Sequence, residues 1–512
     1  MRQKFIKKIN LIVEYGLYLL AFILPLQTRL IIKAGEINGG YWEYGTISLY
    51  GTDIVLLLLL LLFIVHKFPI KSQIQNQKSK IGIYWWLIGG LELFVFISIF
   101  FAADKLVAGV DYLRFLLGIG LFWLIVSVEY DRIKLIYGIL TGVFLQAVLG
   151  SWQFLTQGSF ASKWLGLAAH NAGDLGASVV ETLSGERWLR AYGGLDHPNV
   201  LGGLLVVGIL LAIYLVLKDN NAPRSLSAGQ AVQAGKYGET EMLINPPTPL
   251  CGRGVICFLL FTFVMALFFT FSRGAWAGVL VGILTMLGLA VIKKELLTQK
   301  KLLKIILASG VLIFILFNFY SDLVLTRLSQ DTRLEIKSNT ERMEAVDTAL
   351  TVIKKHWLFG TGIGNYTLVV HNEINDKLAS FAYQPVHNTY LLILAEVGII
   401  GAILFLALLF YLIISNFSVK GGSPPAVPSH WRAGAASGGQ FSPRPELGTK
   451  AIGNKDSNSS KRMVDREFYS LPIIFSFLVM MTVDHWFWSL HFGVLFFWLV
   501  LGLIVTPREL PE

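Results

Sequence analysis

His387, Arg273 and Arg190 are the residues of this chain best suited to do chemistry together, and each stands where an apolar run meets a polar segment. His387 precedes Asn388 and an apolar stretch that reaches Glu396-Val-Gly398. An imidazole of ordinary pKa, about 6.5, can take a proton near neutral pH. Arg273 lies in Phe271-Ser-Arg-Gly-Ala-Trp276, a turn between two apolar runs that is too short to be a domain. A cation so close to hydrocarbon is costly unless it faces a cavity or a partner, and its planar fork matches phosphate oxygens. Arg190, with Arg187 behind it, lies in Trp188-Leu-Arg-Ala-Tyr-Gly-Gly-Leu-Asp-His-Pro-Asn199. There Asn199 reads as a helix N-cap, and the helix start would favour an anion. Arg342, His197, Asn388 and His485 complete the candidate binding residues.

Each position also has a plainer reading. His387 suits a helix cap or an interfacial histidine. Arg273 suits an anchor snorkelling to lipid headgroups. Arg190 suits a structural turn, and Arg342 a solvated helix face. Gly360-Thr-Gly-Ile-Gly364 looks like a phosphate loop only superficially, because no Lys-Ser or Lys-Thr follows it. No Asp-x-Asp and no His/Cys/Asp cluster with metal-ligand spacing is visible, so no metal or cofactor is expected. Cys251 and Cys257 read as small apolar fillers, not as a disulfide or metal pair. Within the apolar runs, Glu92 and Arg114 suit a structural ion pair. Trp486 and Trp488, beside Asp484 and His485, read as interfacial anchors.

The elements that must position these residues are membrane helices. Of the 512 residues, 54% are hydrophobic and only 15% charged, against about 25% charged in an ordinary soluble chain. The expected fold class is an all-α polytopic membrane protein. A span needs about 20 apolar residues. Candidate spans begin near Leu11, Asp53, Ile81, Asp111, Ile133, Asn199, Gly254, Gly274, Leu303, Asn388, Tyr469 and Leu490, about 12 transmembrane helices. The basic start before Leu11 and the lack of a small-residue cleavage site favour a retained span over a signal peptide. The net charge of +10 orients the chain and does not call for nucleic acid. Most Lys and Arg fall at the N-terminus and in alternate loops, which puts both termini in the cytoplasm.

The expected division is a transmembrane bundle over 1–156, an extracytoplasmic loop over 157–198, and spans over 199–320 with a linker at 218–252. An extracytoplasmic domain follows over 321–387, then spans over 388–512 with a disordered linker at 416–466. The domain contains a helical pattern over Thr340–His356. All three chemically capable segments then lie on the non-cytoplasmic face.

Arg190-Ala-Tyr-Gly-Gly-Leu-Asp-His-Pro-Asn199, Ser272-Arg-Gly274, Trp357-Leu-Phe-Gly-Thr-Gly-Ile-Gly364 and His387-Asn-Thr-Tyr-Leu-Leu392 with Glu396-Val-Gly398 resemble, in order and approximate spacing, the O-antigen ligase and polymerase superfamily. The resemblance spans about Leu189–Leu408; the first five spans match only in hydropathy. It implies a GT-C-like, membrane-embedded glycosyltransferase of the cytoplasmic (inner) membrane. Such an enzyme moves a glycan from an undecaprenyl diphosphate carrier to an acceptor hydroxyl on a glycan, lipid or protein, without metal and with inversion. Carried over, His387 would be the base or acceptor-orienting residue, Arg190 and Arg273 would hold the diphosphate, and Arg342 matches an arginine upstream of the glycine-rich turn. A transporter or flippase for a lipid-linked glycan is the alternative class. It would want its polar groups near the midplane and not at one face.

Overall fold

The structure, a computed structural model, describes residues 2–67, 82–174, 176–182, 184–218, 253–329, 332–417 and 455–505. Helices fill each expected span: α1 Arg2–Ile23, α2 Gly51–Lys67, α3 Ile83–Ser98, α4 Lys105–Ser127, α5 Arg132–Thr156, α6 Pro198–Lys218, α7 Arg253–Phe269, α8 Arg273–Ile292, α9 Leu296–Phe319, α13 Thr389–Phe417, α14 Lys455–Met481 and α16 His491–Val505. Among the described residues, seven helices are long and apolar enough to cross a membrane. Gly51–Val65, Gly254–Phe269 and His491–Val505 are apolar but shorter. Between α9 and α13 lie α10 Ser321–Ser329, α11 Arg333–His356 and α12 Tyr366–Glu373; the short α15 is Trp486–Ser489.

α6 runs through the middle of the bundle. It is apolar on every side, and its residues from Val200 to Leu215 are all buried, as a helix without a polar face must be. It packs on α5, α7, α8 and α14. Around it, α8 lies along α14, α4 along α16 and α3 along α13.

Two features fix the site end of the bundle. The first is a break in α13 at Gly398, where φ is +76°. A Cβ there would meet the Leu358 carbonyl oxygen at 2.1 Å, so only glycine fits. The break strands carbonyls that a helix would satisfy, and the glycine-rich turn supplies the donors. Thr361 N–H donates to the Ala395 oxygen at 2.8 Å, Gly362 N–H to the Glu396 oxygen at 3.0 Å, and Ile399 N–H to the Trp357 oxygen at 2.9 Å. Irregular backbone at membrane depth survives where protein satisfies it in this way. These turn amides are therefore unavailable to phosphate.

The second feature is a pair of small sheets that the sequence pattern did not suggest. β1 Arg29–Lys33 pairs antiparallel with β4 Ile47–Tyr50, and β2 Glu36–Ile37 pairs with β3 Gly40–Tyr41 between them. This hairpin is tied to the chain before α13 by Asn38, whose amide donates to the Asp376 and Leu378 carbonyls at 2.7 and 2.8 Å. A third hairpin, β5 Val179–Glu181 with β6 Arg187–Leu189, carries Arg187 and delivers Arg190.

Several expectations change. The helix expected over Thr340–His356 starts earlier, at Arg333. Residues 455–466, expected within a linker, are the first turns of α14. Extending an existing helix is far easier than nucleating one, even through a polar stretch. The remainder of that linker, the linker at 218–252 beyond Lys218, and Cys251 lie outside the described residues; Cys257 is an exposed free thiol. Arg114 does not pair with Glu92. It bonds Asp111, one helical turn away, at 2.8 Å, while Glu92 accepts from the Tyr112 hydroxyl.

Candidate active site

The N-terminal ends of α6, α8 and α13 meet the chain between α14 and α16. Here Asp484 is the hub. One carboxylate oxygen of Asp484 and one ring nitrogen each of His387 and His485 lie within 4.8 Å of one another. The His387 and His485 rings are 5.1 Å apart, centroid to centroid. Asp484 is fixed from several sides: its Oδ2 accepts from the Asn199 amide at 2.8 Å, its Oδ1 from the His485 N–H at 2.8 Å, and its carbonyl from the Thr389 hydroxyl at 2.7 Å. His485 Nδ1 meets the Ser489 hydroxyl at 2.6 Å. His197 joins the group, and its Nδ1 accepts the Asn199 N–H at 3.1 Å.

Electrostatics keep the imidazoles neutral. Burial pushes His387 below its ordinary value; Asp484 opposes this and Arg342 adds to it. Burial takes His485 down to about 3. His197 is held low by burial, then by Arg190. Burial alone would raise Asp484, but its attraction to His485, His387 and His197 whenever these carry a proton, together with the Asn199 amide, holds it below the usual carboxyl value. The cluster is thus one carboxylate among neutral imidazoles. It can accept a proton, because the carboxylate stabilises an imidazolium once formed.

The second half of the site is cationic. Arg190, Arg273, Arg327 and Arg342 lie close enough for their charges to interact, with Glu335 among them. Glu335, buried near the start of α11, pairs with Arg327 and sits 3.4 Å from Arg273. Arg327 also donates to the Phe271 carbonyl at 3.1 Å, and Arg273 to the Arg327 carbonyl at 3.4 Å. The tight turn between α7 and α8 makes this possible: Phe271 takes φ +46° and Ser272 caps α8 through Ala275 N–H at 3.4 Å. Among the described residues, Arg342 makes no hydrogen bond or ion pair. Four guanidiniums against one acid, beside helix N-termini, form a place for a multiply charged anion.

The candidate residues thus come together with amended roles. Arg190 is buried and satisfied by neutral acceptors: the Thr270 carbonyl at 2.7 Å, the Ser178 hydroxyl at 2.7 Å and the Asn199 side-chain oxygen at 2.8 Å. Burial, then Arg327, pulls it well below its ordinary value. A guanidinium does not lose its proton in proteins, so that pull is a standing cost which a nearby anion relieves. Asn199 is not an N-cap, because α6 begins at Pro198 and the ring of His197 takes the capping place. Its side chain instead links Arg190 to Asp484. Asn388, expected to bind substrate, caps α13 through Leu391 N–H at 3.0 Å and donates to the Thr482 carbonyl at 3.1 Å. Arg187 donates to the Asp174 carbonyl at 3.1 Å and makes no contact with the other arginines.

Arg327 and Glu335 went unread in the sequence. They carry no motif and become partners only when α10 and α11 fold back on the α7–α8 turn. Gln146 and Gln153 of α5 were also missed; they clamp the Tyr192-Gly-Gly194 backbone, with Gln153 Oε1 accepting Gly193 N–H at 2.8 Å and Gln146 Oε1 accepting Gly194 N–H at 2.5 Å. Buried glutamines on an apolar helix were the available signal. The absence of metal-ligand spacing in the sequence also does not carry over to space. His387, Asp484 and His485 are spaced to hold an ion, because folding brings α13 to the α14–α16 turn. Both Asp484 oxygens already accept hydrogen bonds, which suits a proton-handling cluster better than an ion site.

Residues 258–406 match a family model described as O-antigen ligase. That stretch holds Arg273, Arg327, Glu335, Arg342 and His387; Arg190, Asn199 and Asp484 lie outside it. No curated protein matches the chain.

Proposed function

We propose that this chain, a multi-pass membrane protein of the O-antigen ligase superfamily through residues 258–406, is a glycosyltransferase. It moves a preassembled glycan from undecaprenyl diphosphate to an acceptor hydroxyl, acting as an O-antigen ligase or polysaccharide polymerase. The observation that carries this reading is the junction of two halves: a neutral histidine cluster around Asp484 and an arginine cluster with one acid. The first suits an acceptor hydroxyl, the second a diphosphate leaving group.

In this mechanism the diphosphate binds Arg342 and Arg273, with Arg327 behind them. Arg342, which among the described residues has no hydrogen-bond or ion-pair partner, makes the first contact. The arginines take up the charge that grows on the leaving oxygen as the glycosidic bond breaks. His387 removes the proton from the acceptor hydroxyl as that oxygen attacks the anomeric carbon, and Asp484 stabilises the imidazolium. Arg190 acts one step back, since it positions Asn199 and through it Asp484. Metal is not required, because guanidiniums supply the charge.

The topology fits this role. With twelve spans, both termini cytoplasmic, and 157–198 and 321–387 extracytoplasmic, the site faces the side on which a translocated lipid-linked glycan arrives. The GT-C-like division of the chain given above follows. Product analysis with the purified full-length protein tests the reading. The donor is an undecaprenyl-diphosphate oligosaccharide, offered lipid A core and peptide acceptors in turn. A ladder of repeats identifies a polymerase, and a single transfer identifies a ligase or, on peptide, a protein glycosyltransferase. Absence of any product while donor binds would contradict it.

A further inference from the structure

A narrow cleft of about 50 Å³ lies beside the histidine cluster and is open at its mouth. None of the four site arginines lines it. Its wall carries four acidic side chains, Glu43, Asp111, Asp196 and Glu396, and one arginine, Arg114, which is already paired with Asp111. Among its lining residues no arginine is free to hold a diphosphate. It is also too polar for a lipid tail.

The acids are not equivalent. Glu43 is held by Arg29 at 3.0 Å, and Glu396 accepts the Trp488 indole N–H at 2.8 Å. Asp196 has no side-chain partner among the described residues; its carboxylate finds only its own backbone N–H. Its side chain is exposed to solvent at the cleft, so a ligand can reach it. An unpartnered acceptor beside the half-buried ring of Tyr44 is the chemistry that takes a sugar ring. Vicinal hydroxyls donate to a carboxylate, and the C–H face lies on an aromatic ring.

The cleft borders His485, whose ring lies 5.1 Å from that of His387, although His387 itself does not line it. Ser489 lines it and bonds His485 Nδ1. Tyr44 lines it and stands edge-on to His485, 6.1 Å between centroids. Arg342 and Arg327 approach the cluster from α11 and α10 instead. In a displacement at a sugar carbon the attacking oxygen enters opposite the leaving group, so acceptor and diphosphate need separate sites flanking the base.

We propose that this cleft is the acceptor subsite, seating a pyranose through Asp196 and Tyr44 and presenting its hydroxyl to His387. The assignment rests on the transferase reading; the presence of a sugar site in the cleft does not.

The test is direct binding to full-length protein in nanodiscs by calorimetry. Three probes are used: free lipopolysaccharide core oligosaccharide, free repeat-unit oligosaccharide as in the donor, and inorganic pyrophosphate. Asp196→Asn and Tyr44→Ala should each weaken acceptor oligosaccharide binding about tenfold or more, with pyrophosphate affinity within about twofold of wild type. Arg342→Ala should do the reverse. Retained pyrophosphate binding shows that the variants are folded. Unchanged oligosaccharide affinity in Asp196→Asn overturns the proposal, as does a wild-type protein that binds neither oligosaccharide. Cleft-dependent binding of the donor glycan alone overturns the acceptor assignment. Acceptor binding that depends on Asp196 without any transfer by wild type would sink the transferase reading and leave the sugar site standing.

Discussion

The side-chain amide of Asn199 joins Asp484 at 2.8 Å across 285 residues of chain, with Arg190 holding the other end of the same amide at 2.8 Å. A buried cation and a buried carboxylate thereby share one neutral linker. The two halves of the site are coupled through a residue that carries no charge.

Asn199→Ala should therefore act on the chemical step. Hydrogen bonds to charged groups contribute about 1.5–3 kcal/mol, so kcat should fall roughly 10- to 100-fold while the KM for donor changes little. Steady-state kinetics with donor and acceptor varied separately read the split. An unchanged kcat would remove the positioning role of Asn199.

Glu335 and Arg342 should separate stability from binding. Glu335→Ala leaves the buried Arg327 and the half-buried Arg273 without their acid, a loss of about 3–5 kcal/mol for the broken buried Arg327 pair. Arg342→Ala breaks no hydrogen bond or ion pair among the described residues and should leave thermal unfolding nearly unchanged while donor binding weakens. Melting curves and pyrophosphate titration on both variants check this.

The pH profile follows from His387. Its folded value lies below the ordinary one, through burial first and Arg342 next, with Asp484 opposing. In the proposed mechanism the neutral base is the active form, so activity should rise through an acid limb below pH ~6.5 and be flat above it. Asp484→Asn removes the group that favours the imidazolium and should move the limb to lower pH. Arg342→Ala removes a repelling cation and should move it up. Rate against pH for the three proteins is the measurement.

Gly398 should resist substitution. Gly398→Ala places a Cβ 2.1 Å from the Leu358 oxygen at φ +76°. The backbone cost alone is about 1–2 kcal/mol, before the clash separates α13 from the glycine-rich turn. Reduced thermal stability, with lost activity, is the expected outcome.

The parts of the molecule that were legible in the sequence were those with periodic or compositional signals. Apolar runs marked all the helices now seen in the expected spans, and short motifs marked His387, Arg273, Arg190 and Gly398. Roles were less legible than positions. Asn199 looked like a cap because it precedes an apolar run, yet proline at the next position back starts the helix and frees the amide for Asp484. Arg327 and Glu335 gave no signal, because a lone charge becomes a site residue only through partners distant in sequence; Asp196 lay inside a marked motif, but no role could be read for it there. The hairpin carrying Tyr44 was hidden for a related reason: its strands are short and half exposed, too brief for alternation to stand out.

The central claim is that His387 takes the acceptor proton in a reaction that needs no metal. The most direct measurement is glycan transfer by purified wild type and His387→Ala, each with an undecaprenyl-diphosphate oligosaccharide, acceptor and excess chelator, with products read by mass spectrometry. Transfer by wild type in chelator, lost at least 100-fold in His387→Ala while donor binding persists, is the expected result. Transfer that survives in His387→Ala, or that stops in wild type on chelation and returns with added metal, would contradict it.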